Sequence, residues 1–524
     1  MVEMMNDSKL YIEVRNGSAP VVISEIPVLD YDRFYGEVCT MLGDERFHCL
    51  TYFCYPSGEV MRFICCIADD GSGTIRILSH ETEGGEPLRA LTARVYSMHI
   101  FEREISENHG VIFEDHPWLK PVRYPNDRAN RQSVMDNYPF YSIEGEELHE
   151  VGVGPVHAGV IEPGHFRFIC NGEKVLHLEI QLGYQHRGIE KLLTERRSGL
   201  AGEKLSDSKA GNSLRLALLA EDIAGDTAVG HGLAHAQLAE SLALAEPSLS
   251  LQAERCIALE LERIAVHIGD TAALCGDVAY QLGQVACEAL RTMVINTTQF
   301  WCGNRFGKGL IRPGGTNYPL TEEIAGEILR VLDEVDRRFG NVTDCIYNLP
   351  SVLGRFEDIG IVTRAQAVSI GAVGMAARTC GVPRDIRATH PFQLYRQMAV
   401  TAVMQESGDV LARGRQRAME VKESVKLIRK MIDKWRKTGG ESGRPQYDLS
   451  YGPDCLAISV TEGWRGEICH AAVTDTAGRL ILYKVKDPSM HNWTALALAV
   501  RNQEISDFPI CNKSFNLSYC GYDL

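Results

Sequence analysis

From a hairpin turn at Asn171-Gly172 to about Lys437, apolar residues recur at three- and four-residue spacing, and no other feature restricts the fold as much. The clearest runs cover residues 254–274, 321–338, 364–379 and 409–436. Helices with one apolar stripe must bury it against one another, so a helical bundle is expected. The turn itself is flanked by Phe166-Arg167-Phe168-Ile169-Cys170 and Val175-Leu176-His177-Leu178-Glu179-Ile180, the pattern of a β-hairpin. Residues 436–444 form a glycine-rich loop, after which β patterning returns over 467–485.

Ahead of this region, residues 1–123 alternate short β-rich runs such as Val21-Val22-Ile23-Ser24 and Thr74-Ile75-Arg76-Ile77-Leu78 with helical stretches such as 30–41. They read as a small N-terminal α/β domain. Turn residues and acids dominate 124–153, which suits a linker, and a second domain is expected over 154–524. The fold class expected is α+β, with the small domain followed by a mainly α-helical domain carrying peripheral β-structure.

A formal net charge of −15 over 524 residues argues against a nucleic-acid partner, because phosphate binding needs a basic surface. The start of the chain has no basic region followed by an apolar core, so no signal peptide is read. No apolar stretch reaches the roughly 20 residues that span a bilayer. A membrane role would need other subunits as anchors. The 16 cysteines include no C-x-x-C pair, so neither a zinc nor an iron–sulfur site is legible and free thiols are expected.

The phrase over residues 154–168, which contains Glu162-Pro163-Gly164-His165-Phe166-Arg167-Phe168, resembles the opening of the large subunit of membrane-bound, energy-converting [NiFe] hydrogenases. Gly183-Tyr184-Gln185-His186-Arg187-Gly188-Ile189-Glu190 is similar to the same family and to its homologue in respiratory complex I. The likeness continues through Leu259-Glu260-Leu261-Glu262-Arg263, Arg312-Pro313-Gly314-Gly315, Arg384-Asp385-Ile386-Arg387, Arg465-Gly466-Glu467 and the carboxyl end. Phe101-Glu102-Arg103-Glu104 and His116-Pro117-Trp118 resemble the accessory complex I subunit that is fused to the large one in formate hydrogenlyase-type enzymes.

Family hydrogenases hold nickel with two C-x-x-C pairs, since soft thiolates suit nickel and iron. At the matching positions this chain has Ala224 and Thr227 in the first pair, and Ser518 and Gly521 in the second. No [NiFe] centre and no other cofactor held by this chain is therefore expected. In complex I the corresponding metal-free cavity receives a quinone headgroup, against a small subunit that carries an iron–sulfur cluster. By resemblance, groups able to hydrogen-bond a carbonyl or transfer a proton there are Glu162, His165, Asp222, Asp226, His231, Asp277, Arg465 and Asp523. A buried Arg465 needs a counter-charge, with Asp226, Asp523 or a bound anion as the options.

The resemblance implies a subunit of a complex I-like, hydrogenase-related oxidoreductase at the inner face of the cell membrane, peripheral and cytoplasmic. Its partners would be the small iron–sulfur subunit, a ferredoxin-like subunit and membrane antiporter-like subunits. It would couple electron transfer, to a quinone-like or unknown acceptor, to ion translocation. Two rivals stand beside it. One is a hydrogenase or formate hydrogenlyase large subunit with unusual metal ligation, and the other a catalytically silent scaffold.

Overall fold

The computed structural model describes residues 9–159, 161–195, 214–439 and 441–524. Its N-terminal part is a mixed sheet in the order β1 (Ile12–Val14), β4 (Thr74–Thr82), β3 (Val60–Asp69), β2 (Phe47–Ser57), with Val28–Leu29 running parallel to β4. Helices α1 (Tyr31–Leu42) and α2 (His99–His109) pack on this sheet. Asp30 starts α1 by accepting the Arg33 amide at 2.9 Å. The apolar residues of β3, Phe63-Ile64-Cys65-Cys66-Ile67-Ala68, are all buried, as expected of a strand covered on both faces.

The hairpin read around Asn171-Gly172 forms as β6 (His165–Asn171) and β7 (Lys174–Gln181). A third strand, β5 (Leu148–Val153), pairs with β6 inside the stretch read as a linker. The bundle consists chiefly of α3 (Ala228–Leu242), α4 (Leu249–Asp277), α5 (Gln281–Cys302), α6 (Glu322–Ile346) and α7 (Val410–Thr438). Ser248, Thr321 and Asp409 cap α4, α6 and α7 through their side-chain oxygens. Gly303 at φ 75° and Gly439 at φ 58° end α5 and α7 in the left-handed conformation that glycine adopts without penalty. The central helix α4 packs along both α5 and α7.

One expected helix is broken. Residues 364–379 form two short helices, Arg364–Ser369 and Gly374–Arg378, separated where Gly371 takes φ 70° and Gly374 φ 60°. The break has a packing cause. A Cβ at Gly374 would lie 2.2 Å from both the Arg465 carbonyl oxygen and the Gly466 Cα, so only glycine allows this approach.

The second sheet runs β10 (Leu480–Lys486), β9 (Glu467–Thr474), β8 (Cys455–Glu462), with Val21–Val22 from the N-terminal region on its outer edge. Strand β8 lies ahead of the β patterning read in the sequence, as an uninterrupted buried run without the alternation that marks a half-exposed strand. Helix α3 covers one side of β8 and β9, and β2 lies against β9 and β10. Asn16 stitches the two ends of the chain together, with Nδ2 donating to the Val460 carbonyl at 2.7 Å and Oδ1 accepting the Val460 amide at 2.9 Å. The β8–β9 connection is the tight turn Gly463-Trp464-Arg465-Gly466, which carries Arg465 at its tip. Among the described residues no helix is long and apolar enough to cross a membrane.

Candidate functional site

Three segments distant in sequence meet beside the tip of that hairpin. The turn before α3 contributes Ala224, Asp226 and Thr227, the end of β10 leads into Asp487, and, after α8 (Ser489–Ala499) and α9 (Phe508–Phe515), helix α10 (Tyr519–Asp523) brings Ser518 and Gly521. Arg465 is 4% exposed and binds Asp226 through two parallel contacts, 2.7 Å and 2.6 Å. It also donates Nε to the Asn516 carbonyl at 2.6 Å and lies over the Trp464 ring. Burial alone would weaken the guanidinium's hold on its proton, but the Asp226 carboxylate outweighs that and raises its pKa. Of the counter-charges open to Arg465, Asp226 is the one in place. Its own side chain is 40% exposed, so the pair faces outward on one side.

None of the four positions read in the sequence as former thiolate positions offers a free soft donor. Ala224 has no donor atom. Thr227 donates its hydroxyl to Asp226 at 3.0 Å and accepts from Arg465 at 3.2 Å. Ser518 caps α10, its Oγ accepting the Gly521 amide at 2.8 Å. A Cβ at Gly521 would sit 2.7 Å from Asp487 Cγ and Oδ2 and 2.8 Å from Ser518 Oγ. The Asp487 carboxylate thus fills the space into which a side chain at 521 would point. It is held there by the Ser489 amide at 2.7 Å and by His231 Nε2 at 3.1 Å. Burial works against its charge, but the His231 contact prevails and its pKa is lowered. Among the described residues no group of three or more His, Cys, Asp or Glu converges as a metal-ligand set. The residues present do not fit a nickel–iron group.

The other residues singled out in the sequence divide into two sets. Glu162 borders the site, accepting the Cys520 amide at 3.4 Å. Asp523 lies behind it, accepting the Gly183 and Gln185 amides at 2.7 Å and 2.8 Å and so fixing the loop after β7. Burial pushes its pKa up to about 6 against those two amides. From that loop, Arg187 donates to the carbonyls of Asp222, Ile223 and Cys520, clamping the turn before α3 to α10. The Asp222 carboxylate pairs with Lys308 at the surface and does not join the Arg465 cluster. His165 bonds the Gly154 carbonyl at 3.1 Å and packs edge-on against Phe140. Asp277 is exposed at the end of α4, ten residues from the buried His267, which is about 15 Å along a helix axis.

Two further groups belong to the site. Asp487 follows a strand and has no spacing signal linking it to the turn before α3, so only the fold brings it here. Glu262 lies in the quoted Leu259–Arg263 phrase, where helical spacing could have set it apart on α4. Its carboxylate accepts the Val229 and Gly230 amides at 2.7 Å and 3.2 Å, at the amino end of α3. Burial, with Asp226 adding repulsion, raises its pKa to about 8 against the pull of those amides.

The chain is similar in sequence to several known proteins. The family described as respiratory-chain NADH dehydrogenase, 49 Kd subunit, matches residues 277–453. The carbon monoxide-induced hydrogenase of Rhodospirillum rubrum is 27% identical over 369 residues, covering 70% of this chain and 97% of that protein. Hydrogenase-4 component G of Escherichia coli K12 is 24% identical over 447 residues, 82% of this chain and 74% of its own. NADH-quinone oxidoreductase subunit 4 of Thermus thermophilus is 24% identical over 388 residues, 69% of this chain and 90% of its own. The class these matches define is that of an oxidoreductase subunit. Within it, the chain resembles the complex I 49 kDa subunit over residues 277–453 and is similar along most of its length to hydrogenase-4 component G.

Proposed function

We propose that this chain is a subunit of a membrane-associated, complex I-like oxidoreductase that operates without a [NiFe] centre. The observation that carries the reading is the position of Asp487, whose carboxylate fills the place of a side chain at 521 while Ala224, Thr227 and Ser518 leave no thiolate to replace it. A polar cluster of two hydrogen-bonded pairs, Arg465–Asp226 and Asp487–His231, takes the place of a metal set in this reading. Its half-exposed edge at Asp226, bordered by Glu162, suits an acceptor with carbonyl oxygens, such as a quinone headgroup. Arg465 and the Thr227 hydroxyl would orient that headgroup, and Glu262 would supply a carboxyl that exchanges a proton near neutral pH.

In this reading a unit over residues 1–123 joins a large-subunit unit over 154–524, and the assembly docks a small iron–sulfur subunit, a ferredoxin-like subunit and antiporter-like membrane subunits. Those partners would fix it to the cytoplasmic face of the membrane and link electron arrival to ion translocation. The test is nickel and iron analysis of the natively purified complex, with hydrogen uptake measured on the same sample. No nickel, with iron confined to partner clusters, is expected. Near-stoichiometric nickel with hydrogen uptake would overturn the reading in favour of a hydrogenase with unusual ligation.

A further inference from the structure

Behind the site, five buried side chains form an unbroken hydrogen-bonded series, of which the preceding reading uses only Asp487 and His231. Asp487 Oδ2 meets His231 Nε2 at 3.1 Å, and His231 Nδ1 meets His470 Nε2 at 3.1 Å. His470 Nδ1 meets the Tyr483 hydroxyl at 2.9 Å, and that oxygen meets His235 Nδ1 at 3.0 Å. Every member is at most 2% exposed. The series passes from the end of β10 through α3 to β9, then to β10 and back to α3. His235 Nε2, its last atom, is buried and has no hydrogen-bond partner.

The proton positions follow from counting donors and acceptors. An ionised Asp487 accepts, so His231 donates Nε2–H, and its Nδ1 lone pair accepts the Nε2–H of His470. His470 Nδ1 then accepts the Tyr483 O–H, and the Tyr483 oxygen accepts the Nδ1–H of His235. His235 Nε2 is left with a lone pair, a smaller loss in a buried site than an orphaned N–H. The reverse orientation holds one more proton. Burial keeps the rings neutral, as both orientations require: it lowers the pKa of His235 to about 4, with Arg312 adding repulsion, and holds His470 well below the usual histidine range. Burial also keeps the Tyr483 hydroxyl protonated. The lowered pKa of Asp487 favours the orientation of lower proton count.

We propose that Asp487, His231, His470, Tyr483 and His235 form a proton relay between the cluster at Arg465 and the interior face of α3. A proton arriving at His235 Nε2 forms a new N–H bond there, and the His235 Nδ1–H bond breaks as its proton passes to the Tyr483 oxygen. The Tyr483 O–H bond breaks toward His470 Nδ1, and the His470 Nε2–H bond toward His231 Nδ1. The His231 Nε2 proton then passes to Asp487. One proton enters, one is delivered, and no electron moves. The end point of the relay rests on the reading of the Arg465 cluster as the working site, but its existence does not, so the two fail separately.

The test uses the full chain labelled with ¹⁵N-histidine, with signals assigned through single His→Asn variants. Ring nitrogen shifts are expected to show His231 and His470 as Nε2–H tautomers and His235 as the Nδ1–H tautomer. Asp487→Asn is expected to move the His235 ring signals while Tyr483 is present and to leave them unmoved in Tyr483→Phe. The N–H protons of His231 and His470 are expected to exchange with water at least tenfold more slowly in Tyr483→Phe. If that variant does not fold, His235→Leu carries the same expectation for exchange. A His470 Nδ1–H tautomer, His235 signals indifferent to Asp487→Asn, or unchanged exchange rates would each overturn the relay, whatever the nickel analysis of the complex finds.

Discussion

Two of the buried charge clusters among the described residues are built to opposite ends. At the junction of α4, α7 and β8, Arg263, Arg378 and Arg387 face Glu260, Asp385, Glu420 and Glu462. Arg378 bonds Glu462 at 2.7 Å and Glu420 at 2.8 Å, and Arg387 holds Asp385 at 2.6 Å. There burial is outweighed by the arginines, so Glu260, Asp385 and Glu420 titrate below the ordinary carboxylate range, and only Glu462 rises, to about 7. Around Arg465 the cations are fewer. Glu262 and Asp523 lean on backbone amides, and burial lifts them to about 8 and about 6. The first cluster locks charge on all its carboxylates but Glu462 and joins helices to sheet, whereas in the second both Glu262 and Asp523 are able to bind protons nearer neutrality.

The sharpest way to break the contrast is Arg378→Ala. It leaves Glu420 and Glu462 buried with one cation fewer, and a loss of about 3–5 kcal/mol in urea unfolding is expected. Next comes Asp226→Ala, which frees Arg465 in a pair open to solvent on one side. The same measurement should register about 1–2 kcal/mol, and electron transfer by the native complex should fall more than stability does.

An effect of similar size sharpens the account of Asp487. Gly521→Ala pushes a methyl group into its carboxylate and is expected to cost about 1–3 kcal/mol. Gly225→Ala, in the neighbouring turn, has no heavy atom within 4 Å of the added carbon and should be neutral in comparison. Equal costs at the two glycines would remove the steric argument.

A further expected effect concerns pH. Glu262 has a folded pKa of about 8, above its unfolded value, so the folded chain binds more protons than the unfolded chain between the two. Its contribution therefore favours folding at low pH and declines as pH rises from about 4.5 to 8. Relative to Glu262→Gln, the native chain's thermal midpoint should fall across that window. Glu420, with a depressed pKa, has the opposite sign: its stabilisation is complete above the unfolded carboxylate range and is lost as pH falls.

Much of this was legible before any coordinate. The helices around 254–274, 321–338 and 409–436 show in the spacing, because a helix that buries one stripe writes a period near 3.6 into its residues. The hairpin at Asn171-Gly172 shows because its turn demands particular residues. The break at Gly371 and Gly374 was not legible, since its cause is the backbone of Arg465, some ninety residues onward. Within the site, the resemblance brought Asp226, Arg465 and His231 to attention, and the fold pairs Asp226 with Arg465 and His231 with Asp487. It leaves Asp277 exposed, pairs Asp222 with Lys308, and turns His165 toward Gly154.

By itself, the sequence determined the periodicities, the caps, the turns and the absence of thiolates at Ala224, Thr227, Ser518 and Gly521. These are local properties, decided by which atoms each residue carries and how its neighbours repeat. The tertiary structure alone decided which carboxylate meets Arg465, that Asp487 fills the space beside Gly521, and that two histidines of α3 connect through His470 and Tyr483. Hydrogen bonds and ion pairs act over about 3 Å, while the chain separating these partners runs to more than two hundred residues, so only folding sets their distances.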